Sequence, residues 1–326
     1  MRLPGRRRPL LPVLLLLLAV CVFFTKREQP PLHTPPMPLP AEETSPSPLP
    51  AEEEDIFRIL DTATGEILTV SAREFLPGAV ATEMTLSMHE EALKAQAVAC
   101  YTQYAWQRAQ HAENDYDFTC DTAAWQVYVT LQDMQARWGD DYDRCMEILN
   151  RVADTVYGCC LTLNNEPICA TYFAISSGHT ENSADVWGGE LAYLSAVASP
   201  GDAFAPGYRT TAAFSPQEVA EATGADTPED PTDLVRVLSR SVSGGVTSVA
   251  VGNVTLTGPQ LRTALGLRSA NFTPVYAEGQ WVFTVNGWGH GVGMSQAGAD
   301  YMAGCGSTFE EILAWYYPGA QLTRAN

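Results

Sequence analysis

The first 54 residues are unsuited to a packed core, and this confines the fold to the rest of the chain. Residues 1–27 open with a basic run and continue in a nearly unbroken apolar run from Leu10 to Phe24. Residues 28–54 are rich in Pro, Glu, Ser and Thr and contain almost no large apolar side chains, so they cannot bury enough surface to order themselves. The sequence therefore predicts a cytoplasmic basic tail and membrane anchor over 1–27, a disordered linker over 28–54, and a globular domain over 55–326.

The apolar run is interpreted as an uncleaved anchor. Its 15 residues are fewer than the roughly 20 that usually span a bilayer, but flanking basic side chains can extend it by snorkelling. It closes with Val22-Phe23-Phe24 and offers no small-residue cleavage site, which argues against a removed signal peptide. A lipoprotein anchor at Cys21 is the weaker alternative. The basic run predicts a cytoplasmic N-terminus, so residues 55–326 are expected outside the cytoplasm of a single-pass membrane protein.

This interpretation predicts that the full-length protein stays in the membrane fraction at its unprocessed mass, because nothing in the apolar run directs cleavage. Cell fractionation followed by intact-mass measurement checks it. A mature form that starts near residue 28 would show that the run is a signal peptide instead.

The charge of the remaining chain argues against polyanionic ligands. The whole chain has 19 Lys and Arg against 38 Asp and Glu, and six of the basic residues lie within 1–27. Residues 28–326 therefore carry 13 basic against 38 acidic side chains, a net charge of −25, and Lys94 is the one lysine among them. Attraction to polyanions needs clustered Lys and Arg, so we expect no nucleic acid partner.

Seven cysteines follow the apolar run, an odd number for a domain in an oxidising compartment. At least one of them is expected to be free, metal-bound or intermolecular. Buried free thiols are the alternative to disulfides, because several of these cysteines lie in apolar patterns. The seven are Cys100, Cys120, Cys145, Cys159, Cys160, Cys169 and Cys305.

The order of the predicted elements is that of an α+β protein, with helices and antiparallel strands mixed along the chain. Hairpins are predicted around residues 57–70 and at Asn164-Asn165, where a strand over 167–175 would follow the turn. A capping box at Ser87 predicts a long helix directly after it, and another predicts a helix after Ser215. A strand over 281–285 and a final helix over 309–316 complete the pattern.

A glycine-rich segment, Asn286–Gln296, follows that last strand. It lacks the Gly-Lys-Ser/Thr of a phosphate loop, which argues against nucleotide binding. Its glycines permit a close approach of the backbone to a ligand, and His290, Ser295 and Gln296 supply polar groups of the kind that hold sugar hydroxyls. A tight structural loop is the alternative explanation.

Glu83 lies in a small and apolar context, Val80-Ala81-Thr82-Glu83-Met84. Such surroundings raise the pKa of a carboxyl group by desolvation, as a general acid requires, although an ordinary charge at a helix end is the alternative. His89-Glu90-Glu91 begins like a zinc-protease helix, but Leu93 stands where the second histidine is needed. A Cys-His nucleophile pair stays open on spacing alone.

Together these segments resemble the stage II sporulation protein D family, which includes the amidase-enhancer proteins. The resemblance covers residues 56–320 in order. It rests on these motifs: Glu83-Met84, residues 91–99, Gln126-Val127-Tyr128, Tyr172, residues 176–181, residues 185–189, Tyr193-Leu194, Gly258, Leu261-Arg262, residues 265–269, residues 287–296 and residues 316–319.

The resemblance implies a peptidoglycan lytic transglycosylase that cuts glycan strands stripped of their stem peptides, in septal wall remodelling and engulfment during sporulation. It implies as partners a cell-wall amidase and other engulfment proteins, and it makes Glu83 the catalytic residue. A non-catalytic wall-binding activator of an amidase is the competing function. Side chains expected to bind the glycan in a cleft are Lys94, Gln96, Tyr172, Ser176, Ser177, His290, Ser295 and Gln296.

The sequence departs from the family pattern at four places. Thr85 stands where Pro is usual, Cys100-Tyr101 where Ala-Arg is usual, and Ser177 where a second Gly is common. Some members bind zinc through a His and two Cys. Here Cys120 and His111 could match, but Trp125 replaces the second Cys, so we expect neither a metal nor another cofactor.

Overall fold

A computed structural model describes residues 55–122 and 126–324. The anchor and linker predicted over 1–54 lie outside these residues. Within the described part, no helix combines the length and the apolar character needed to cross a bilayer. These residues all belong to one compact unit.

The N-terminal half of the domain is built on a small sheet and four helices. Its strands are β1 (Ile56–Asp61), β2 (Ile67–Ser71) and β3 (Phe118–Cys120). The first two form the predicted antiparallel hairpin, and β3 pairs with β1 in parallel. The helices are α1 (Ala72–Glu83), α2 (Glu90–Gln110), α3 (Leu131–Trp138) and α4 (Tyr142–Val156).

The C-terminal half contains most of the strands. The strands are β4 (Cys159–Leu163), β5 (Glu166–Pro167), β6 (Tyr172–Phe173), β7 (Arg209–Phe214), β8 (Val235–Arg240), β9 (Val246–Val251), β10 (Val254–Leu256), β11 (Phe272–Ala277), β12 (Gln280–Asn286), β13 (Met294–Ser295) and β14 (Gln321–Arg324). The helices are α5 (Ser183–Trp187), α6 (Pro216–Thr223), α7 (Gly258–Ala264), α8 (Gln296–Gly304) and α9 (Phe309–Tyr316). Short 3-10 helices lie at Gly139–Asp141, Pro200–Phe204 and Pro231–Asp233.

Helix α2 is the centre of the larger hydrophobic core. Its alanines at 92, 95, 97 and 99 are all fully buried, and such small side chains let α1, α4, α8 and α9 pack closely around it. A second core fills the β-rich part between the sheets β11-β12-β7 and β10-β9-β8. The predicted α+β class with antiparallel sheets is confirmed.

Two short strands bring the functional segments together. β13 pairs with β6 in parallel, so that Met294 lies opposite Tyr172 and Ser295 opposite Phe173. This pairing holds the start of α8 against the buried centre of the domain. The polar side chains of both segments can therefore meet the helices of the larger core.

Several predicted elements match the structure. The turn at Asn164-Asn165 joins β4 to β5, and both asparagines adopt positive φ, 55° and 66°. Ser215 and Glu218 form a complete capping box on α6. The predicted last strand and last helix coincide with β12 and α9.

Two local predictions are wrong. Ser87 does not cap α2, which begins after His89; the backbone N–H of His89 donates to Asp300 at 2.7 Å, so a tertiary contact fixes the start of the helix. The strand predicted over 167–175 is broken into β5 and β6, because residues 172–173 pair with β13 instead of β4. Helix α1, which contains Pro77 and Gly78, was not expected from the sequence.

Candidate active site

Glu83 is the last residue of α1, where the helix ends against the middle of α2 and the start of α8. The helix is capped at its start by Ser71, whose hydroxyl accepts from Glu74 N–H, and Met84 adopts an extended conformation at its end. Gly78 allows α1 to approach the segment after residue 125, since a Cβ there would lie 2.4 Å from the carbonyl oxygen of Val129. This packing leaves Glu83 partly buried.

A ring of hydrogen bonds encloses the Glu83 carboxylate. Gln296 Nε2 lies 3.4 Å from Glu83 Oε2 and also 3.4 Å from Gln96 Oε1. Gln96 Nε2 donates to Cys100 Sγ at 3.2 Å, and the Cys100 thiol donates to the Tyr172 hydroxyl at 3.4 Å. Tyr172 in turn acts on the pKa of Glu83 as a hydrogen-bond donor, so its hydroxyl lies close to the carboxyl group.

The hydrogen bonds of this ring can all run in the same direction, from each donor to the next acceptor. The Gln296 amide has two N–H groups, one for Glu83 and one for Gln96, and each later member accepts one bond and donates one. Tyr172 accepts from Cys100, which leaves its own proton available to donate toward Glu83. The carboxylate therefore receives two hydrogen bonds from neutral side chains, which orient it without a cation.

Burial dominates the electrostatics of Glu83. Desolvation raises the pKa of its carboxyl group above the ordinary value, while the hydrogen bonds from Gln296 and Tyr172 act in the opposite direction. This is the direction expected from the apolar sequence around it. A raised pKa favours the protonated form of the carboxyl group, which proton donation requires.

Replacing Gln296 with leucine is expected to raise the pKa of Glu83 further, because the substitution removes a hydrogen bond that stabilises the ionised form. Carboxyl-carbon NMR titration of the full-length chain measures this pKa, with the Glu83 signal assigned by its loss in Glu83→Gln. Gln217→Leu, an exposed change on α6, is the matched control and should leave the titration unchanged. An unaltered or lowered pKa in Gln296→Leu would contradict the hydrogen-bond ring.

The Cys100 thiol does not serve as a nucleophile in this setting. Burial, followed by the nearby Glu83 carboxylate, raises its pKa to about 12, so it stays protonated near neutral pH. Its place in the ring is that of a hydrogen-bond donor. The Cys-His hypothesis therefore finds no support at this site.

Asp202 is a buried carboxylate that holds the segments next to the ring. No pattern in the sequence predicts this role. It is fully buried in the 3-10 helix at 200–204, and its Oδ1 accepts from Ser176 N–H at 2.5 Å and from the Ser295 hydroxyl. The Ser199 hydroxyl donates to its Oδ2. Because Ser295 also caps α8, Asp202 fixes the residue next to Gln296.

The glycine-rich segment is pressed against the chain around β6. Gly287, Gly289, Gly291 and Gly293 alternate along it, all with positive φ. A Cβ at Gly293 would lie 1.9 Å from the carbonyl oxygen of Thr171, so only glycine fits there. The segment therefore serves as a tight structural loop that places α8, whatever further role it has in binding.

Ser176, Ser177 and His290 line a separate cavity of about 30 Å³, together with Glu181. His290 Nδ1 accepts from Val292 N–H at 3.1 Å, which leaves the proton of the neutral ring on Nε2. Burial and the positive charge of Arg262 lower the pKa of His290 to about 4, so the ring is neutral at neutral pH. Its binding role stays a prediction, as do those of the two serines.

Lys94 lies in an ion-pair group apart from the ring. Its ammonium group is 2.7 Å from Glu91 and 3.1 Å from Glu90, and Arg151 on α4 also pairs with Glu90. Lys94 therefore pairs with the acidic first turn of its own helix.

Of the nine predicted site residues, the ring brings together Glu83, Gln96, Tyr172 and Gln296, with Ser295 directly beside it.

The possible zinc ligands do not converge in the described residues. His111 Nδ1 lies 2.8 Å from the carbonyl oxygen of Asp117, and Cys120 is buried in β3. Trp125 lies outside the residues that the structure describes. Across residues 55–122 and 126–324, no group of three His, Cys, Asp or Glu side chains could hold a metal ion, and the seven cysteines there are free.

The fold and site define an α+β protein in which the amide of Gln296 and the phenol of Tyr172 act as hydrogen-bond donors to the partly buried Glu83 carboxyl group. Comparison with known proteins gives the family. The sequence model of the stage II sporulation protein family SpoIID matches residues 61–156, which include α1 and α2. The chain is 34% identical over 269 residues to stage II sporulation protein D of Bacillus subtilis (strain 168), covering 81% of this chain and 78% of that protein.

The corresponding protein of Bacillus amyloliquefaciens is equally similar, 34% identical over 269 residues with the same coverage of both chains. The amidase enhancer of Bacillus subtilis (strain 168) is 25% identical over 304 residues, which covers 76% of this chain and 40% of that protein. The chain therefore belongs to the stage II sporulation protein D family, as the sequence motifs indicate.

Proposed function

We propose that the protein is a lytic transglycosylase that cleaves denuded peptidoglycan strands and leaves 1,6-anhydro-N-acetylmuramic acid ends, in septal wall remodelling and engulfment. The observation that carries this proposal is the setting of Glu83. Its carboxyl group is partly buried, and the two groups that act on its pKa by hydrogen bonding, Gln296 and Tyr172, are both neutral.

The ways of breaking a glycosidic bond differ in the number of carboxyl groups that they need. Most glycoside hydrolases use two carboxyl groups, one as acid and one as nucleophile or base. A lytic transglycosylase needs one, because the sugar supplies its own nucleophile. The position of Glu83, partly buried beside two neutral hydrogen-bond donors, supports the transglycosylase reaction.

In the proposed reaction, protonated Glu83 donates its proton to the glycosidic oxygen while the bond between that oxygen and the anomeric carbon breaks. The N-acetyl group can assist at the anomeric carbon. The 6-hydroxyl of the same sugar then forms a new bond to the anomeric carbon, and its proton passes to the Glu83 carboxylate. Glu83 ends protonated, no water is consumed, and the ring of neutral donors keeps the carboxyl group oriented through both transfers.

The proposed surroundings of the enzyme follow from the sequence. We propose a single-pass membrane protein whose domain lies outside the cytoplasm, where glycan strands and a cell-wall amidase are its partners. An amidase that removes stem peptides would supply the denuded substrate. The similarity to an amidase enhancer supports a link of this kind.

The same similarity favours a second candidate, a wall-binding activator of an amidase that does not itself cut glycan. The two functions differ in what the purified full-length chain does alone. Incubated with glycan from which an amidase has already removed all stem peptides, a transglycosylase shortens the strands. An activator leaves the strand length unchanged and instead accelerates peptide release when amidase and intact wall are supplied together.

A further inference from the structure

A groove lies beside the Glu83 site, on the outer face of α8. It is a cavity of about 440 Å³ between the loop after α1, the 3-10 helix at 200–204 and α8. We call it the Phe204 groove and define it by Phe204, Tyr301, Met88, His89, Asp300 and Cys305. None of these residues belongs to the family motifs or to the Glu83 site described above.

Two stacked aromatic rings form one wall of this groove. The rings of Phe204 and Tyr301 lie 5.7 Å apart at an angle of 12°, and Phe204 is 77% exposed. Gly201 makes room for the inner ring, because a Cβ there would lie 2.2 Å from Tyr301 Cγ. The exposed ring of Phe204, stacked on Tyr301 and held by this close backbone contact, is a preformed apolar platform.

The opposite wall is polar and equally well packed. Asp300 Oδ1 accepts from His89 N–H at 2.7 Å and lies 2.9 Å from His89 Nδ1. A Cβ at Gly304 would lie 2.9 Å from the His89 ring, so this glycine also makes room for a groove side chain. Asp300 Oδ2 makes no hydrogen bond within the described part of the chain and can accept one from a ligand.

The groove and the Glu83 site are built on the same two segments, the chain that follows α1 and helix α8. Gln296, the first residue of α8, contacts Glu83, and Asp300, four residues later, contacts His89 in the loop that follows Glu83. One such step along a helix is about 6 Å. A strand that is bound at Glu83 and runs along α8 would therefore reach the groove within about one sugar residue.

We propose that the Phe204 groove binds an uncharged N-acetylhexosamine ring of the glycan strand, next to the bond that is cut. This inference rests on the proposed function and extends it to a specific subsite. The apolar face of the sugar lies on the Phe204–Tyr301 rings, and its hydroxyl groups donate to Asp300. Among the described residues that line the groove there is no Lys or Arg, so an anionic sugar or a stem-peptide carboxylate would find no counter-charge.

The test is calorimetric binding of β-1,4-linked N-acetylglucosamine oligomers to the full-length chain in a Glu83→Gln background, which prevents turnover. Phe204→Ala and Tyr301→Ala are each expected to weaken binding about tenfold, the effect of losing roughly 1.4 kcal/mol of stacking. Val275→Ala, an exposed apolar truncation on β11, should bind like the parent. Parallel titrations with N-deacetylated oligomers and a stem peptide separate sugar recognition from binding of a cation or a peptide.

Equal affinity of the parent, Phe204→Ala and Tyr301→Ala for the neutral oligomer would overturn the subsite, and so would tighter binding of the stem peptide than of the sugar. Cleavage decides the function separately. A chain that cuts denuded glycan with the same KM after Phe204→Ala has the proposed activity without the subsite. A chain that binds the oligomer through Phe204 yet cuts nothing has the subsite without the activity.

Discussion

Glu83→Gln is expected to abolish glycan cleavage while the chain stays folded and still binds glycan. The amide has nearly the shape of the carboxyl group but can neither donate the first proton nor accept the second. General acid-base participation contributes roughly 10²–10⁴ in rate, so the loss should be at least of that size. The measurement is the initial rate of strand shortening on denuded glycan, with circular dichroism to verify the fold.

The matched controls separate Glu83 from the other candidate acids. Glu310→Gln changes an exposed acid on α9 and should leave the rate unchanged. Glu181→Gln changes a buried acid outside the ring, whose Oε1 accepts from Gly245 N–H at 3.1 Å. A folded Glu83→Gln chain that keeps more than about a tenth of the wild-type rate, or an inactive Glu181→Gln chain with Glu83→Gln still active, would contradict the assignment.

The same substitution has a defined effect on stability. Because burial raises the pKa of Glu83 above its ordinary value of 4.5, the folded chain binds this proton more tightly than the unfolded chain does. The contribution of Glu83 to stability is therefore complete at low pH and is lost as the pH rises through the raised pKa. Glutamine stays neutral, so at neutral pH the variant should be at least as stable as the wild type.

Asp202→Ala is expected to destabilise the fold by about 3 kcal/mol, because it leaves several buried donors without an acceptor and each costs roughly 1–3 kcal/mol. Those donors are Ser176 N–H and the hydroxyl groups of Ser199 and Ser295. The loss should also lower cleavage, since Ser295 caps the helix that begins with Gln296. Urea unfolding of the full-length chain measures the change in free energy.

Asp202→Asn keeps one carbonyl oxygen as an acceptor and should lose less stability than Asp202→Ala. Asp140→Ala removes an exposed aspartate in the 3-10 helix that precedes α4 and should be nearly silent. Equal stability of Asp202→Ala and Asp140→Ala would show that the buried carboxylate does not organise the support of the site.

Local patterns in the sequence predicted those parts of the fold that local interactions determine. The turn at Asn164-Asn165 depends on residues that tolerate positive φ, and the capping box at Ser215 depends on two side chains three residues apart. Both form as expected. Ser87 shows the limit, because its capping pattern is complete in sequence but Asp300 binds the neighbouring His89 backbone instead.

Helix α1 was missed for a related reason. Pro77 and Gly78 are residues that usually interrupt helices, yet here they lie inside one. Gly78 is needed for close packing against Val129, whose N–H donates to the Gly78 carbonyl oxygen at 3.2 Å. The two segments are about 50 residues apart in sequence, so no local pattern predicts this contact. Glu83 is therefore the last residue of a helix that no local pattern predicts.

The sequence predicts which residues form the candidate site, but it does not predict the contacts among them. Motif resemblance selected Glu83, Gln96, Tyr172 and Gln296, and the ring joins them across 213 residues of sequence. Asp202 gave no signal, because a single aspartate in a loop usually faces solvent and only the fold buries it among three serines. Lys94 was selected by its motif, and the fold gives it Glu90 and Glu91 as partners.

The most direct test of the central claim is the chemistry of the products. Denuded glycan is digested by the full-length chain in water enriched in ¹⁸O, and the released fragments are analysed by mass spectrometry. Transfer to the 6-hydroxyl predicts fragments with anhydro ends, each lighter by one water than the reducing sugar and free of ¹⁸O. Reducing ends that carry ¹⁸O would identify a hydrolase with a water nucleophile and contradict the single-acid mechanism.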